Sequence, residues 1–158
     1  MTDSLYWVQA NRLANDFPDA DEALVDPDGL LAAGGDLSPE RLLEAYRRGI
    51  FPWFSDSQPI LWWAPDPRSV LFPERLKISR SLAKTLRRQP FHVTFDTAFT
   101  DVMRGCAAPR RGEPGTWSTD TMPKAYTKQP QVGYAHAIEC WIDAWLLAGR
   151  FAVTLGWL

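Results

Sequence analysis

Hydrophobic and polar positions change period several times along this chain, and each change marks an element. From Pro39 to Arg48 the apolar residues Leu42, Leu43 and Tyr46 recur on one helical face, while Arg41, Glu44, Arg47 and Arg48 point elsewhere. Ser38 suits the N-cap, Pro39 the first helical position and Gly49 the left-handed residue that ends such a helix. The run Ile50-Phe51-Pro52-Trp53-Phe54 is too aromatic for an ordinary surface loop, and its proline cannot pair inside a sheet. Ile60 to Trp63 reads as a short strand, and Ala64-Pro65-Asp66-Pro67-Arg68 turns the chain back. Between Lys77 and Arg88 the helical period returns. Lys77, Arg80, Lys84, Arg87 and Arg88 share one side and Ile78, Leu82 and Leu86 the other, so the apolar stripe is expected to pack down and the basic face to look out.

Phe91 to Phe95 alternates as a half-buried strand, with His92 on its polar face and given no role. Phe99, Val102, Met103 and Cys106 then repeat at helical spacing, which makes Cys106 a small core residue and not a nucleophile. A short helix is predicted near Met122, carrying Ala125 and Tyr126 and broken by Pro130. Ala135 to Trp141 reads as a strand, with His136, Ile138 and Cys140 on one face and Ala137, Glu139 and Trp141 on the other.

Composition changes this picture in two places. Eight Trp and thirteen Pro among 158 residues imply an irregular aromatic core or a stacking surface. Charge is also unevenly spread: residues 1–50 hold ten acidic and four basic side chains, residues 68–111 ten basic and three acidic. That island of positive charge, with cations in helical register, favours a polyanion partner over a merely solvated face. Cys106 and Cys140 lack CxxC spacing and nearby His, so neither a disulfide framework nor a metal site is expected. The N-terminus has no signal-peptide pattern and no uncharged apolar stretch reaches membrane-spanning length. Reduced thiols and a cytoplasmic location follow.

The ordered blocks GGDLSP, YRRGIFPWF, PILWW and PDPR, followed by ISRS, GCA and GTW, resemble the leucyl/phenylalanyl-tRNA–protein transferases. These bacterial enzymes add Leu or Phe from aminoacyl-tRNA to proteins with an N-terminal Arg or Lys, marking them for degradation. The likeness runs from about Leu5 to Trp141. Beyond it, Gly149-Arg150 stands where paired glycines are expected. The Glu that would read the acceptor is missing, and the catalytic residues are unknown here, because the expected Asp and Gln would lie beyond Leu158.

The resemblance implies an α+β fold. A small N-terminal α/β region, residues 1–70, leads into residues 71–158, the first part of an acetyltransferase-like (GNAT-type) mixed sheet left incomplete. It implies no cofactor and no metal. It puts Trp53 and Trp117 at the aminoacyl-adenosine, where aromatic faces stack a base at roughly 1–3 kcal/mol each, with Tyr46 donating nearby. Phe51 and Phe54 would border an apolar pocket for Leu, Phe or Met. Lys77, Arg80, Lys84, Arg87 and Arg88 would carry the tRNA stem. Trp53 as a core aromatic wedged by Pro52, and Tyr46 as a helix residue packed on Leu42, stand as the alternatives; Trp62 and Trp63 read as structural. Two other functions fit the same residues: a tRNA-binding fragment of the family without catalysis, and a carbohydrate- or peptide-binding protein using exposed Trp.

Overall fold

In the computed structural model, residues 5–55, 57–88, 90–108, 121–126 and 133–155 are described. Strand β2 (Leu30–Gly34) is buried along its whole length. Strand β1 (Tyr6–Val8) pairs with it in parallel, and β4 (Leu61–Trp63) pairs antiparallel on its other side. The two-residue β3 (Phe51–Pro52) completes the order β1-β2-β4-β3. Pro52 is therefore accommodated in a sheet after all, because an edge strand can do without its missing donor. The strands β1 and β2 were not marked by alternation: Leu30 to Ala33 is a continuous apolar run, the pattern of a strand covered on both faces.

Helix α1 (Pro39–Arg47) lies where its pattern predicts, and Gly49 follows it at φ +75°. Two details differ from expectation. Ser38 is the N-cap residue but its hydroxyl caps nothing; instead the Asp36 carboxylate accepts from the Ser38 amide at 2.8 Å. Arg41, expected on an outward face, is buried. It reaches Asp36 Oδ2 at 3.2 Å and the carbonyls of Arg12, Leu13 and Gln9 at 3.1, 3.3 and 3.4 Å. Arg48 similarly donates to the carbonyls of Phe17 and Pro18. Arg41 of α1 and its C-cap residue Arg48 thus serve as staples for the segment between β1 and β2. Burial of the guanidinium is tolerated because its donors meet acceptors.

The second sheet is antiparallel, in the order β5 (His92–Phe95), β6 (Ala135–Ile142), β7 (Trp145–Val153). Helix α3 (Phe99–Ala107) buries Phe99, Val102 and Met103 against it, as predicted, and α4 (Thr121–Tyr126) buries Met122 and Tyr126. Pro130, predicted to end that helix, lies outside the described residues. Gly149 packs under α3, so that a Cβ there would come within 2.5 Å of Val102 Cγ2. Its neighbour in the expected glycine pair, Arg150, is exposed.

The alternation of β5 is inverted relative to expectation. Val93 and Phe95 face solvent, 51% and 66% exposed, and the polar Thr94 turns inward. Thr94 sits opposite Glu139, which is fully buried on β6. Its carboxylate accepts from Thr94 Oγ1 at 2.6 Å, Thr97 Oγ1 at 3.0 Å and the Ala98 amide at 3.2 Å. Burial pushes this carboxyl upward, but those hydrogen bonds outweigh it and hold the group below the usual carboxylate range. An inward Glu requires inward hydroxyls across the ladder, so the apolar residues of β5 go outside.

Helix α2 (Arg80–Arg88) also departs from its pattern. It starts at Arg80, where Ser79 Oγ accepts from the Leu82 amide, leaving Lys77 and Ile78 ahead of the helix. None of its residues is buried; Ile78, Leu82 and Leu86 are 52%, 48% and 40% exposed. The stripe that was expected to pack down has no layer beneath it among the described residues. The buried residues of both sheets otherwise form one cluster, from Val8, Leu42, Ile50 and Trp62 to Met103, Tyr126 and Ala137. No helix of the described residues is long and apolar enough to cross a membrane.

Candidate aminoacyl-nucleotide cleft and basic helix

The end of α1 builds one wall of a cleft. The amides of Gly49 and Ile50 return to the carbonyls of Tyr46 and Ala45, and the positive φ of Gly49 lets the chain reverse directly into β3. Ile50 plugs the core and β3 pairs with β4, Phe51 opposite Trp63 and Pro52 opposite Trp62. The backbone of Trp53 is then held at both ends: its amide donates to Leu61 O at 2.9 Å, and its carbonyl accepts from Trp63 Nε1 at 2.7 Å. Its indole, by contrast, stays 55% exposed. An aromatic face on a fixed backbone is a ready stacking surface.

Tyr46, Phe51, Pro52, Trp53, Arg68, Tyr126 and Phe151 line the cleft, about 360 Å³ in volume. The phenol oxygens of Tyr46 and Tyr126 are 2.5 Å apart, and the Tyr126 ring rests on Phe151 with centroids at 5.4 Å. Burial raises both phenols above the ordinary tyrosine value, Tyr126 well above it; the Tyr126 hydrogen bond and the Arg68 charge partly offset this at Tyr46. Either phenol can donate in this pair. Arg68 donates through Nη1 to Gly49 O at 2.6 Å, and its guanidinium lies 4.8 Å from the Phe51 ring centroid. The cleft thus offers flat apolar faces, two phenols and one cation. Among the described residues, no group of three His, Cys, Asp or Glu is arranged to hold a metal.

Of the residues singled out from the sequence, Tyr46, Phe51 and Trp53 come together here. Phe54 does not: it is 6% exposed and belongs to the core behind Trp53, because alternation past β3 sends successive side chains to opposite faces. Trp117 lies outside the described residues. Arg68, Tyr126 and Phe151 complete the site without having been assigned to it. Arg68 was legible only as part of PDPR, and Tyr126 only as a helix residue some eighty positions from Tyr46. Trp62 is structural, fully buried with Nε1 donating to Gly34 O at 2.9 Å.

Comparison with known proteins identifies the family. The model of the family described as leucyl/phenylalanyl-tRNA protein transferase matches residues 70–158, and that of its N-terminal domain matches residues 35–66. A leucyl/phenylalanyl-tRNA–protein transferase of Aromatoleum aromaticum is 57% identical over 89% of this chain and 60% of its own length. One from Pseudomonas fluorescens is 53% identical over 98% of this chain and 67% of its own, and one from Nitrosomonas europaea 56% identical over 89% and 59%. This chain belongs to the leucyl/phenylalanyl-tRNA–protein transferase family. It spans about 60% of the length of several of the curated transferases it matches.

The transferase match reaches residue 158, past Trp141, where the motif-based likeness was taken to stop. The physical reason lies in β7: it pairs with β6 from Ile142↔Trp145 to Ala135↔Val153, and a strand of this kind is specified by alternation and by a small residue at Gly149 more than by a rare motif.

The basic residues of α2 and of the segment before it do not line the cleft. Lys77, Arg80, Lys84, Arg87 and Arg88 are all exposed, and none is ion-paired among the described residues. Four of them are on α2 and Lys77 is on the segment before it.

Proposed function

We propose that this chain carries the aminoacyl-tRNA side of a transferase that moves Leu, Phe or Met from aminoacyl-tRNA to the N-terminal Arg or Lys of acceptor proteins. The observation that carries this reading is the cleft in which Tyr46, Phe51 and Trp53, from one short stretch, meet Tyr126, within a chain of that family. Trp53 stacks on the terminal adenine. Phe51 and Phe151 border the apolar side chain of the amino acid, which such a surface selects weakly, by about 1–3 kcal/mol per methylene. Tyr126, hydrogen-bonded to Tyr46, holds that phenol in place beside the bound ester. Trp117 supplies a second aromatic face, as the family resemblance implies.

The reaction is aminolysis of an activated ester. The acceptor α-amine forms a C–N bond at the carbonyl, the C–O bond to the 3′ oxygen of the adenosine breaks, and the amine proton ends on that leaving oxygen. Holding the two substrates in attack geometry supplies much of the acceleration, and no cofactor is needed. The acceptor and the proton-transferring groups are read by residues not assigned in this chain. The basic face of α2 with Lys77 carries the tRNA stem, and β5–β6–β7 are the opening strands of an acetyltransferase-like sheet over residues 71–158, beside an aromatic-rich region over 1–70. A tRNA partner puts the protein in the cytoplasm.

The test is transfer of labelled Leu or Phe from charged tRNA to a peptide with N-terminal Arg, run beside tRNA binding at two salt concentrations. Salt-sensitive tRNA binding is the expected result; transfer as well would mean that catalysis does not need the Asp, Gln and Glu that the family resemblance implies. Binding whose logarithm falls by about 0.7–0.9 per contact for each tenfold rise in salt, without transfer, identifies a docking piece without catalysis. Salt-insensitive binding of sugars or peptides in its place overturns the reading. If Arg80→Glu with Arg87→Glu leaves tRNA affinity unchanged, α2 is not the docking surface.

A further inference from the structure

We infer that Arg68 is the phosphate-binding residue of the cleft, gripping the phosphodiester immediately 5′ of the terminal adenosine; this rests on the cleft reading above. Arg68 is exposed at the cleft mouth, yet its position is fixed from two sides, by Gly49 O at 2.6 Å and by the Phe51 ring beneath the guanidinium. Gly49 O uses one of the five N–H donors of the group. None of the ion pairs among the described residues involves Arg68, and Asp66, two positions earlier, is not its partner. A cation that stays unneutralised while its orientation is fixed, beside walls that are otherwise aromatic, is organised for an anion arriving with the ligand.

The chemistry of the ligand selects the anion. Trp53, Phe51 and Phe151 suit the flat and apolar parts of an aminoacyl-adenosine, and the aminoacyl end itself carries no negative charge. The remaining anionic group near that nucleoside is the phosphodiester on its 5′ side. Its two non-bridging oxygens match the planar fork of a guanidinium, a geometry that an ammonium does not offer. Arg68 is also the first cation of the basic portion of the sequence, residues 68–111.

The experiment compares two non-hydrolysable ligands on the full chain. One is adenosine carrying phenylalanine through a 3′ amide, with a free 5′ hydroxyl; the other is the same compound bearing a 5′ methyl phosphodiester. Calorimetry gives both dissociation constants, and their ratio is the readout, so that changes in the cleft common to both ligands cancel. The unsubstituted chain should bind the phosphodiester about tenfold more tightly, the scale of a charge-assisted fork. In Arg68→Met the ratio should collapse to about one, and in Arg68→Lys it should be intermediate. A ratio near one in the unsubstituted chain overturns the inference even if no variant folds, and so does an unchanged ratio in Arg68→Met. Failure of the unsubstituted chain to bind either compound has a different meaning: the cleft reading itself is then wrong, and the role of Arg68 falls with it.

Discussion

The two sheets of this protein use their apolar residues in opposite ways. In the first, β2 is buried along its whole length, α1 covers the sheet with Leu42 and Ala45, and Arg41 and Arg48 tie the segment between β1 and β2 to it. In the second, α3 covers one face only. The other face presents Val93, Phe95 and Ile138 to solvent, and α2 carries Leu82 and Leu86 with no buried residue. Identical residue types therefore contribute stability in one place and surface in the other. A hydrophobic period marks which residues share a face, but only a second layer converts that face into a core.

Truncations at matched leucines break or sharpen this contrast most directly. Leu42→Ala removes a side chain that is 1% exposed and should cost about 3 kcal/mol or more in chemical denaturation. Arg41→Ala should rank beside it, at about 3–5 kcal/mol, because Asp36 and three carbonyls lose their donor in a buried setting. Next is Gly149→Val, whose branched side chain must displace Val102 on α3; a loss of about 1–3 kcal/mol is expected in the same assay. If Gly149→Val proves neutral, α3 does not press on β7 as closely as the geometry requires.

The titratable groups give effects of intermediate size with opposite signs. Glu139 is depressed in the folded state, so its stabilisation is present above the unfolded carboxyl value, near 4.3, and is lost as pH falls through the lower folded value. Glu139→Gln should flatten the acid limb of the stability curve and cost about 1 kcal/mol at neutral pH. Tyr126 is raised, so its contribution is present below the unfolded phenol value, near 10, and is lost as pH climbs above it toward the folded value. Tyr126→Phe should flatten the alkaline limb. The smallest effect belongs to Leu82→Ala: on a helix face that is 48% exposed, it should shift stability by about 0.5 kcal/mol or less. A loss approaching that of Leu42→Ala would mean that the α2 stripe is covered in solution.

Sequence reasoning went furthest where function compresses several demands into one short stretch. Between Ser38 and Arg68 the helix, its glycine stop, the aromatic run, the strand and the turn were all legible, since each is set by neighbours within a few residues. The ordered Trp-rich blocks were enough to indicate the family. Three of the seven cleft residues could be named for the same reason: Tyr46, Phe51 and Trp53 lie within eight positions of one another.

What the sequence did not determine depends on contacts between distant positions. The inward turn of Thr94 was decided by Glu139, forty-five positions away, whose burial needed hydroxyl partners that no local pattern announces. The burial of Arg41 was decided by carbonyls roughly thirty positions earlier in the chain, and the charge count alone would have left it on the surface. Tyr126 and Phe151 joined the cleft only because Tyr126 of α4 meets Tyr46 of α1 and rests on Phe151 of β7. Local periodicity fixed the elements and the faces they share. Tertiary packing alone decided which faces are covered and which polar groups are satisfied there, because burial and hydrogen-bond satisfaction belong to the assembled structure and not to any one segment.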